Sequence, residues 1–484
     1  MGSPTVKRIE EARRRVERYV DEVVDALKRF HEVVFEAYPG FGKTLLGLEV
    51  STRLGRCLYV TRTLAEVSTV LSIADMMGIR AGPLYGRMQL CHVLSSTNPY
   101  LFSSLCRARR ALGMCREDVT RDLVARAAKA LYPDDLRELG KSCGVCIYRA
   151  HLVASLSRRV IVTTYEYLHN HPEIASKVSD RIAVLDECHT LVDSIEKFVE
   201  RVSLEDIEAL ALELRRPYPR LSYALRRIAR SSPSVEDALH KIVELYDTDI
   251  EGGEALEPIV NAVRSGRVVV GSDGAAYIVK PMRVSVGTLR LYMTAYVPPM
   301  LAASMHRIAI EDPPMRIPTR IDTSITTRYS ERSEKLMDEL ADIVASYIDR
   351  DCATLVVLPS HSLAEEIRRR LLLKGFRLAP PSSISSVDRG TVVIDVAGGR
   401  ATEGVTPSKS LRRVIVAGMP YPPPDPRLEA ASRVYGFDAV YTYIAMLRTV
   451  QAVGRLMRWG GDAVLIDRRF KKYVHLLPKW MDLV

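Results

Sequence analysis

The sequence predicts an α/β protein built around two mostly parallel sheets, and three observations support this fold class. Short apolar runs typical of buried strands alternate with helical periodicity along much of the chain. The chain has 484 residues, which is too long for one core, and its 47% hydrophobic residues exclude a disordered protein. The alternation stops twice and resumes each time, so we expect two α/β halves with two insertions in the first.

Composition narrows the class of protein. No stretch offers about 18 uninterrupted apolar residues, and the charged N-terminus lacks a hydrophobic signal core, so we expect a cytoplasmic protein without membrane spans. The two Gln and three Asn, beside 26% charged residues, suggest a hyperthermophile, whose intracellular proteins can carry disulfides. The net charge of +10 suits a polyanionic partner, or is simply a basic surface.

The first half opens with two strand–helix pairs. We predict a charged amphipathic helix over 8–30, a strand over 33–37 and a helix over 45–53. A second apolar strand over 57–60 precedes a helix that ends near residue 77. After the first insertion the pattern resumes with strands over 160–163 and 182–185, and after the second with a strand over 291–296.

The two insertions differ in character. Residues 86–150 carry five of the eight cysteines and eleven Lys/Arg against six Asp/Glu, half of the net charge in about an eighth of the chain. Residues 200–283 show helical periodicity and a predicted hairpin of 267–270 with 276–280. The second half then has strands over 354–358, 391–396, 414–418 and 463–467, with helices such as 333–348 and 364–373 between them.

A phosphate-binding loop is the clearest local signal. Gly40, Gly42, Lys43 and Thr44 lie between the first strand and the second helix. Loop amides and the helix N-terminus converge on phosphates, Lys43 reaches the outer phosphates, and the Thr44 hydroxyl holds Mg²⁺. The pattern departs from the usual one because its first Gly is Ala37. An ordinary glycine-bearing turn is the plainer interpretation, which the flanking strand and helix disfavour.

Two further motifs offer the other residue types that a nucleotide hydrolase needs. Asp186 and Glu187 follow the strand 182–185, where we expect Asp186 to bind Mg²⁺ and Glu187 to orient or deprotonate the attacking water. Gln451 precedes Arg455 and Arg458, which lie three apart on one helix face, a spacing suited to charge stabilisation at a γ-phosphate. A solvated basic helix and a capped turn are the plainer alternatives.

The order and content of these motifs resemble the XPD-like iron–sulfur helicases of superfamily two. Similar to the motifs of that family are 37–44, 186–189 and 451–458, the insertion ends 85–91 and 146–148, and the segments 162–168, 398–404, 419–424 and 467–470. The resemblance spans about residues 31–470. It implies an ATP-dependent helicase that moves 5′ to 3′ on single-stranded DNA, binds single-stranded and forked DNA, and acts as a monomer near the nucleoid.

The resemblance also implies a domain organisation. Two RecA-like motor domains are expected, the first formed by 1–86, 151–199 and 286–315 and the second by 316–484. An iron–sulfur domain over 87–150 and a mainly helical arch-like domain over 200–285 are inserted in the first.

Several residues receive roles from the resemblance. A [4Fe–4S] cluster would be ligated by Cys91, Cys106, Cys115 and Cys146, with Cys143 spare or a substitute. A zinc site, which Cys143 and Cys146 would favour by their CxxC spacing, or disulfides remain open. Glu403 and Gly404 belong to the motor-cleft motif, and ATP and Mg²⁺ are the other cofactors. The DNA-contacting candidates are Arg62, Arg107, Arg109, Arg110, Tyr148 and Tyr165.

The sequence departs from the family in four places. Tyr38 and Pro39 stand where the family has Pro-Thr, and Thr294-Ala295-Tyr296 replaces its Ser/Thr-Ala-Thr. The N-terminal 30 residues contain no Gln for an adenine-reading motif, and the second insertion is short for an arch. A DNA-binding ATPase with weak or lost unwinding is therefore the alternative function, and an unrelated ATPase such as a transport motor is a third.

Overall fold

A computed structural model gives the protein's fold. It describes residues 4–94, 106, 109–110, 113–193, 199–216, 218–279, 286–310, 313, 315–402 and 406–484. Within them the chain forms two compact units. The first comprises Met1–Cys188, Val284–Val297 and Leu301–Ile310, and the second comprises His189–Arg283, Pro298–Met300 and Glu311–Val484.

The strands and helices are labelled in chain order. The strands are β1 (Glu32–Glu36), β2 (Cys57–Thr61), β3 (Ala81–Pro83), β4 (Val160–Thr164), β5 (Ile182–Leu185), β6 (Val199–Val202), β7 (Val268–Val270), β8 (Ala276–Val279), β9 (Arg290–Thr294), β10 (His306–Ala309), β11 (Ile317–Asp322), β12 (Ala353–Leu358), β13 (Arg377–Ala379), β14 (Thr391–Val396), β15 (Leu411–Ala417), β16 (Asp462–Ile466) and β17 (Met481–Leu483). The α-helices are α1 (Pro4–Phe30), α2 (Lys43–Leu54), α3 (Leu64–Met76), α4 (Arg87–Leu90), α5 (Arg121–Ala127), α6 (Pro133–Cys143), α7 (Tyr148–Leu156), α8 (Tyr165–Asn170), α9 (Pro172–Lys177), α10 (Thr190–Asp193), α11 (Leu204–Glu213), α12 (Pro219–Ser231), α13 (Val235–Tyr246), α14 (Glu257–Arg264), α15 (Pro299–Ala302), α16 (Glu334–Tyr347), α17 (His361–Leu373), α18 (Pro426–Tyr435) and α19 (Tyr443–Val453).

The first unit is built on a seven-stranded parallel sheet in the order β10-β1-β9-β5-β2-β4-β3. Its central strands β2, β4 and β5 are buried along their whole length, as strands covered on both faces are. Helix α2 lies very close to this sheet at Gly47. A Cβ there would approach side-chain atoms of Tyr59, Val184 and Met293 to 2.9 Å, so glycine permits the close contact.

The second unit contains a seven-stranded parallel sheet in the order β13-β14-β12-β15-β16-β11-β17. It also contains the helical segment α11–α14 with a three-stranded antiparallel sheet, β6-β8-β7. Helix α18 packs against all three of these strands, and the Arg433 guanidinium donates to the Val270 carbonyl at 3.2 Å. The second insertion thus belongs to the same compact unit as residues 311–484.

The structure confirms the predicted α/β class with two parallel sheets and the hairpin of β7 with β8. Strand β6, which completes the small sheet, was not predicted because its four residues carry too short a pattern. The boundaries of the four predicted domains stay predictions. No helix in the described part of the chain is long and apolar enough to cross a membrane.

The root of the first insertion is closed by a buried histidine. The His151 Nε2 on α7 accepts a hydrogen bond from the Tyr85 backbone N–H at 3.2 Å, and the two rings stack at 5.7 Å. Burial lowers the pKa of His151 to about 4. The neutral ring therefore joins the chain entering the insertion to the helix that follows it.

We expect acid to destabilise the protein through this histidine. His151 has a folded pKa near 4 and titrates near 6.5 when unfolded, so the unfolded chain binds more protons between these values. The free energy of unfolding should fall by roughly 3 kcal/mol as pH drops from 7 to 4. Denaturant midpoints of wild type and His151→Gln across this range measure it. Parallel curves for the two proteins would contradict the assignment.

Candidate nucleotide site and cysteine cavity

The phosphate loop places its reactive side chains at the carboxyl end of the parallel sheet of the first unit. Gly40 and Gly42 have φ values of 84° and 108°, in the left-handed region that glycine adopts without strain. Lys43 opens α2 and is 8% exposed, and its Nζ donates to the Ala37 carbonyl at 3.4 Å. The loop thus presents the N-terminus of a twelve-residue helix and one buried ammonium group, a combination suited to phosphate binding.

The acidic motif lies against this loop. The Thr44 hydroxyl is 3.4 Å from Asp186 Oδ2, and the Tyr59 hydroxyl donates to the same oxygen at 2.8 Å. Burial raises the pKa of Asp186 to about 7; the charge of Glu187 adds to this and Lys43 opposes it. A buried carboxylate beside a hydroxyl offers the oxygen ligands that Mg²⁺ takes, so the donor set fits a magnesium ion.

Glu187 stands in an uncommon backbone conformation. Its φ is 48°, a left-handed value that few non-glycine residues adopt, and its carboxylate lies 3.7 Å from Lys43 Nζ. The Tyr165 hydroxyl donates to the Asp186 carbonyl at 3.0 Å, one peptide before it. Strain of this kind persists where the surroundings hold it, commonly at active sites.

Helix α1 supports the phosphate loop through four aromatic rings, which we call the aromatic wedge. Tyr19 on α1 contacts Phe35 and Phe41 edge-on, with centroids 6.1 and 5.6 Å away. Phe41 also contacts Phe35 at 5.5 Å and Tyr38 at 5.6 Å, and Phe41 is 1% exposed. Phe41 therefore anchors the loop to α1 through Tyr19, and Tyr38, one of the two loop residues that depart from the family pattern, packs against Phe41.

A polar contact from α1 reinforces the aromatic wedge. The Arg15 guanidinium donates to the Gly40 carbonyl at 3.3 Å and to the Tyr38 hydroxyl at 3.4 Å. Sequence reasoning missed both Arg15 and Tyr19. The available signal was the pairing of an N-terminal amphipathic helix with two bulky residues, Tyr38 and Phe41, inside a loop that is usually small and polar.

The predicted arginines lie in the second unit. Arg455 and Arg458 belong to a 3₁₀ segment, Gly454–Arg458, that continues α19, where residues three apart eclipse each other. Arg455 Nε donates to the Thr402 carbonyl at 2.7 Å, and the Arg458 guanidinium contacts the Thr406 hydroxyl. The predicted residues Glu403 and Gly404 lie between Thr402 and Thr406 in the sequence and outside the described residues.

Gln451 is held by a polar partner in the same unit. Its amide Nε2 lies 3.1 Å from His189 Nε2, and its Oε1 is buried without a hydrogen-bond partner among the described residues. A buried acceptor of this kind is available to a donor on a ligand.

Four of the predicted ligand cysteines line one cavity in the first unit. Cys91, Cys106, Cys115 and Cys146 face it, and none of the described cysteines forms a disulfide. Burial raises the pKa of Cys106, an effect that Arg87 opposes and that Cys91 and Cys115 increase. The backbone N–H of Leu94 donates to Cys91 Sγ at 3.3 Å. Thiols brought to one cavity from distant points in the sequence form a donor set that suits a cluster.

These thiols do not converge on one point. Among the described residues no three His, Cys, Asp or Glu side chains are placed to hold a single metal ion. In a multinuclear cluster each thiolate binds a different iron, so its ligands need less convergence than those of a lone zinc ion. Four thiols that line one cavity are the donor set that an iron–sulfur cluster takes, so the residues present fit a cluster by their chemistry.

Cys143 has different surroundings. It ends α6, its Sγ accepts from the Arg126 guanidinium at 3.5 Å, and it is absent from the cavity lining. Gly144 follows it with φ of 63° and turns the chain, so that Cys146 rather than Cys143 reaches the cavity.

An arginine-rich network borders the cavity. Glu117, 12% exposed, receives the guanidinium groups of Arg87 at 2.7 Å, Arg110 at 3.0 Å and Arg149 at 3.7 Å. Arg109 and Arg110 line the cavity, and Arg107 lies outside the described residues. The Arg87 guanidinium also lies 3.9 Å from Cys146 Sγ. Burial raises the pKa of the Cys146 thiol, and the positive charge of Arg87 opposes this shift.

The remaining residues predicted to contact DNA are buried or partly buried. Tyr148 is 5% exposed, its ring is covered by Arg87 at 4.1 Å, and its hydroxyl contacts that of Tyr167. Tyr165 supports Asp186 as described above. Arg62 is partly buried at the start of α3, where its backbone N–H donates to Glu66. Both tyrosines make contacts within the fold, and DNA contact by Tyr148, Tyr165 and Arg62 stays a prediction.

Family models and known proteins agree with these features. The DEAD_2 family model matches residues 59–206, and a helicase C-terminal domain model matches residues 332–483. The chain is 23% identical to the ATP-dependent DNA helicase XPD of Sulfolobus acidocaldarius, over 94% of this chain and 95% of that protein. It is 29% identical over 239 residues to the XPD helicase subunit of transcription and DNA repair factor IIH from Arabidopsis thaliana, and this match spans 39% of the chain and 31% of that protein.

Solved structures match over the whole fold. An XPD helicase aligns with a TM-score of 0.64 and 19% identity, covering 97% of this chain and 98% of that one. Xpd4 from S. tokodaii aligns with a TM-score of 0.54 and 16% identity, over 98% of this chain and 100% of that one. At these identities the likeness concerns the fold, two RecA-like α/β domains.

Removal of the Tyr19 ring should loosen the phosphate loop without touching its chemistry. Tyr19→Ala deletes two edge-on aromatic contacts, each worth about 0.5–1.5 kcal/mol, and leaves Lys43, Asp186 and Glu187 in place. We expect the KM for nucleoside triphosphate to rise about tenfold, with kcat within about twofold of wild type. Steady-state hydrolysis assays measure both. Tyr19→Phe is the matched control and should behave as wild type; an equal loss in both variants would refute the wedge.

Proposed function

We propose that the chain belongs to the XPD-like helicase family and is an ATP-dependent DNA helicase that translocates on single-stranded DNA and separates duplex. The observation that carries the proposal is the assembly of Lys43, Thr44, Asp186 and Glu187 at one end of the first sheet. The relatives named above include an ATP-dependent DNA helicase that matches the chain almost end to end.

The first unit supplies the parts for hydrolysis. Lys43 would bind the outer phosphates, and Thr44 and Asp186 would hold Mg²⁺, which neutralises charge on the phosphates. Glu187, beside Lys43 in its constrained conformation, would orient and deprotonate the attacking water. Tyr59 fixes the Asp186 carboxylate through the 2.8 Å hydrogen bond.

The second unit would add positive charge at the γ-phosphate. Arg455 and Arg458 are the candidates, and Glu403 and Gly404 would form part of the same nucleotide-contacting segment. The contacts of the two arginines with Thr402 and Thr406 support this, because they tie both guanidinium groups to the two ends of that segment. Gln451 would use its unpartnered oxygen as a nucleotide ligand.

We further propose a [4Fe–4S] cluster held by Cys91, Cys106, Cys115 and Cys146, in a domain of residues 87–150. Their common cavity supports this set, and the separate surroundings of Cys143 support leaving it out. The cluster would cross-link segments that are distant in sequence. Residues 200–285 would form the arch-like domain, and the resemblance to the XPD-like helicases implies 5′ to 3′ movement along DNA.

The helicase proposal predicts hydrolysis that depends on both Lys43 and DNA. Lys43→Ala removes the buried ammonium that meets the phosphates, so we expect at least a hundredfold loss of kcat/KM. Phosphate release with and without a single-stranded oligonucleotide measures it. Lys28→Ala, at the far end of α1, is the control and should retain wild-type hydrolysis.

Strand separation distinguishes the proposal from its alternative. Duplexes with a 5′ tail, a 3′ tail or a fork should be unwound only when a 5′ tail or fork is present. DNA-stimulated hydrolysis without unwinding of any substrate would favour the DNA-binding ATPase, consistent with Tyr296 in place of the family's small hydroxyl. Absence of stimulation by DNA would overturn both.

The cluster proposal predicts unequal effects of two cysteine variants. Cys115→Ser should remove the brown colour and most of the bound iron, because its thiol lines the cavity. Cys143→Ser should keep both, because its thiol bonds to Arg126 instead. Visible absorbance and iron per chain after anaerobic purification measure this. A colourless wild-type protein with stoichiometric zinc would contradict the cluster.

A further inference from the structure

One helix of the second unit carries positive charge that the nucleotide site and the cysteine cavity do not use. Residues 215–230 contain six arginines and no Asp, Glu or Lys. Most of this run lies on α12 (Pro219–Ser231). Like charges on one folded helix repel one another, and this repulsion destabilises the folded protein unless a polyanion neutralises the charges.

The helix separates its two faces clearly. Leu221, Leu225 and Ala229 are buried in the core of the helical segment. The opposite face carries an exposed row spaced by three, four and three residues, which we call the arginine stripe: Arg220, Tyr223, Arg227 and Arg230. Because the apolar face is already covered, α12 cannot insert it into a membrane surface.

Two members of the arginine stripe have no anionic partner among the described residues. Arg230 is paired, through Nε at 2.9 Å and NH2 at 2.6 Å, with Glu208. No described carboxylate lies within ion-pair distance of Arg220 or Arg227. Tyr223, between them, is 71% exposed, an uncommon state for a large aromatic side chain. The stripe thus presents two free guanidinium groups with an open aromatic face between them.

We propose that the arginine stripe binds single-stranded nucleic acid, with Arg220 and Arg227 on phosphates and Tyr223 stacked on a base. The row extends about 15 Å along the helix, long enough to follow a backbone over several nucleotides. Every cation is arginine, whose planar guanidinium pairs with phosphate and stacks on bases. An acidic protein segment would be attracted by the charge but would leave the exposed aromatic ring without a role, whereas bases stack on it.

The choice of single-stranded DNA as the ligand rests on the proposed function, whereas the free charges and the exposed ring of the stripe do not. Its test therefore omits nucleotide, and it is repeated in the Lys43→Ala background. Anisotropy of a labelled oligo-dT is measured at several salt concentrations. If hydrolysis and unwinding fail while stripe-dependent binding persists, the helicase proposal falls and the arginine stripe stands.

Each variant has a separate expected signature. Arg220→Ala with Arg227→Ala should lower the slope of log K against log salt by about 1.4, since each phosphate contact on a single strand contributes about 0.7. Tyr223→Ala should weaken binding about five- to a hundredfold with the slope unchanged, and Tyr223→Trp should restore it. Arg230→Ala, the matched control with a paired guanidinium, should change the slope less than Arg227→Ala.

Two results would overturn the proposal. The first is an Arg220→Ala/Arg227→Ala double variant that binds oligo-dT with the affinity and salt slope of wild type. This result would favour an acidic protein segment as the partner of the stripe. The second is a loss confined to blunt duplex, which would assign the stripe to double-stranded DNA. The four substituted positions of the arginine stripe are exposed, so unchanged circular dichroism and melting temperature should accompany each stripe variant.

Discussion

The buried carboxylate of Asp186 is the point on which the nucleotide site depends. It lies where the parallel strands of the first sheet end, and Tyr59, Thr44 and the Glu187 backbone all bond to it. An ionised carboxylate is costly to bury, which is why its pKa is raised to about 7. A divalent cation beside it would restore the charged form. The same atoms thus determine where a metal can sit and how Thr44 and Glu187 are oriented around it.

The phosphate loop beside this carboxylate is positioned from behind by α1. In many loops of this kind small residues let the backbone follow the phosphates, whereas here Phe41 is buried under Tyr19 and Phe35. Arg15 holds the outer turn of the loop through Gly40. The contacts lower the conformational freedom of the loop before nucleotide arrives, which reduces the entropy lost on binding. The N-terminal helix is in this way part of the nucleotide site, although it bears none of its reactive groups.

The two insertions use charge in different ways. In the first, Arg87, Arg110 and Arg149 all pair with Glu117 beside the cavity that the thiols line. Their positive charges thus face a carboxylate within the protein. In the second, Arg220 and Arg227 face outward with an exposed tyrosine between them. A count of basic residues along the chain is similar for both segments. The two sets of arginines differ in whether a described carboxylate lies within ion-pair distance of the guanidinium groups.

The sequence by itself determined the α/β class, the positions of the longer buried strands and helices, and the residues of the nucleotide motifs, because apolar periodicity and short loops with special chemistry are local properties. Tertiary structure alone decided which cysteines share a cavity, because Cys143 and Cys146 are three residues apart and only the turn at Gly144 separates their surroundings. It likewise decided that Tyr148 and Tyr165 bond to other parts of the fold, that α1 anchors the phosphate loop, and that, among the described residues, Arg230 has a carboxylate partner and Arg227 has none. Each of these depends on contacts between residues far apart in the chain, which no local pattern encodes.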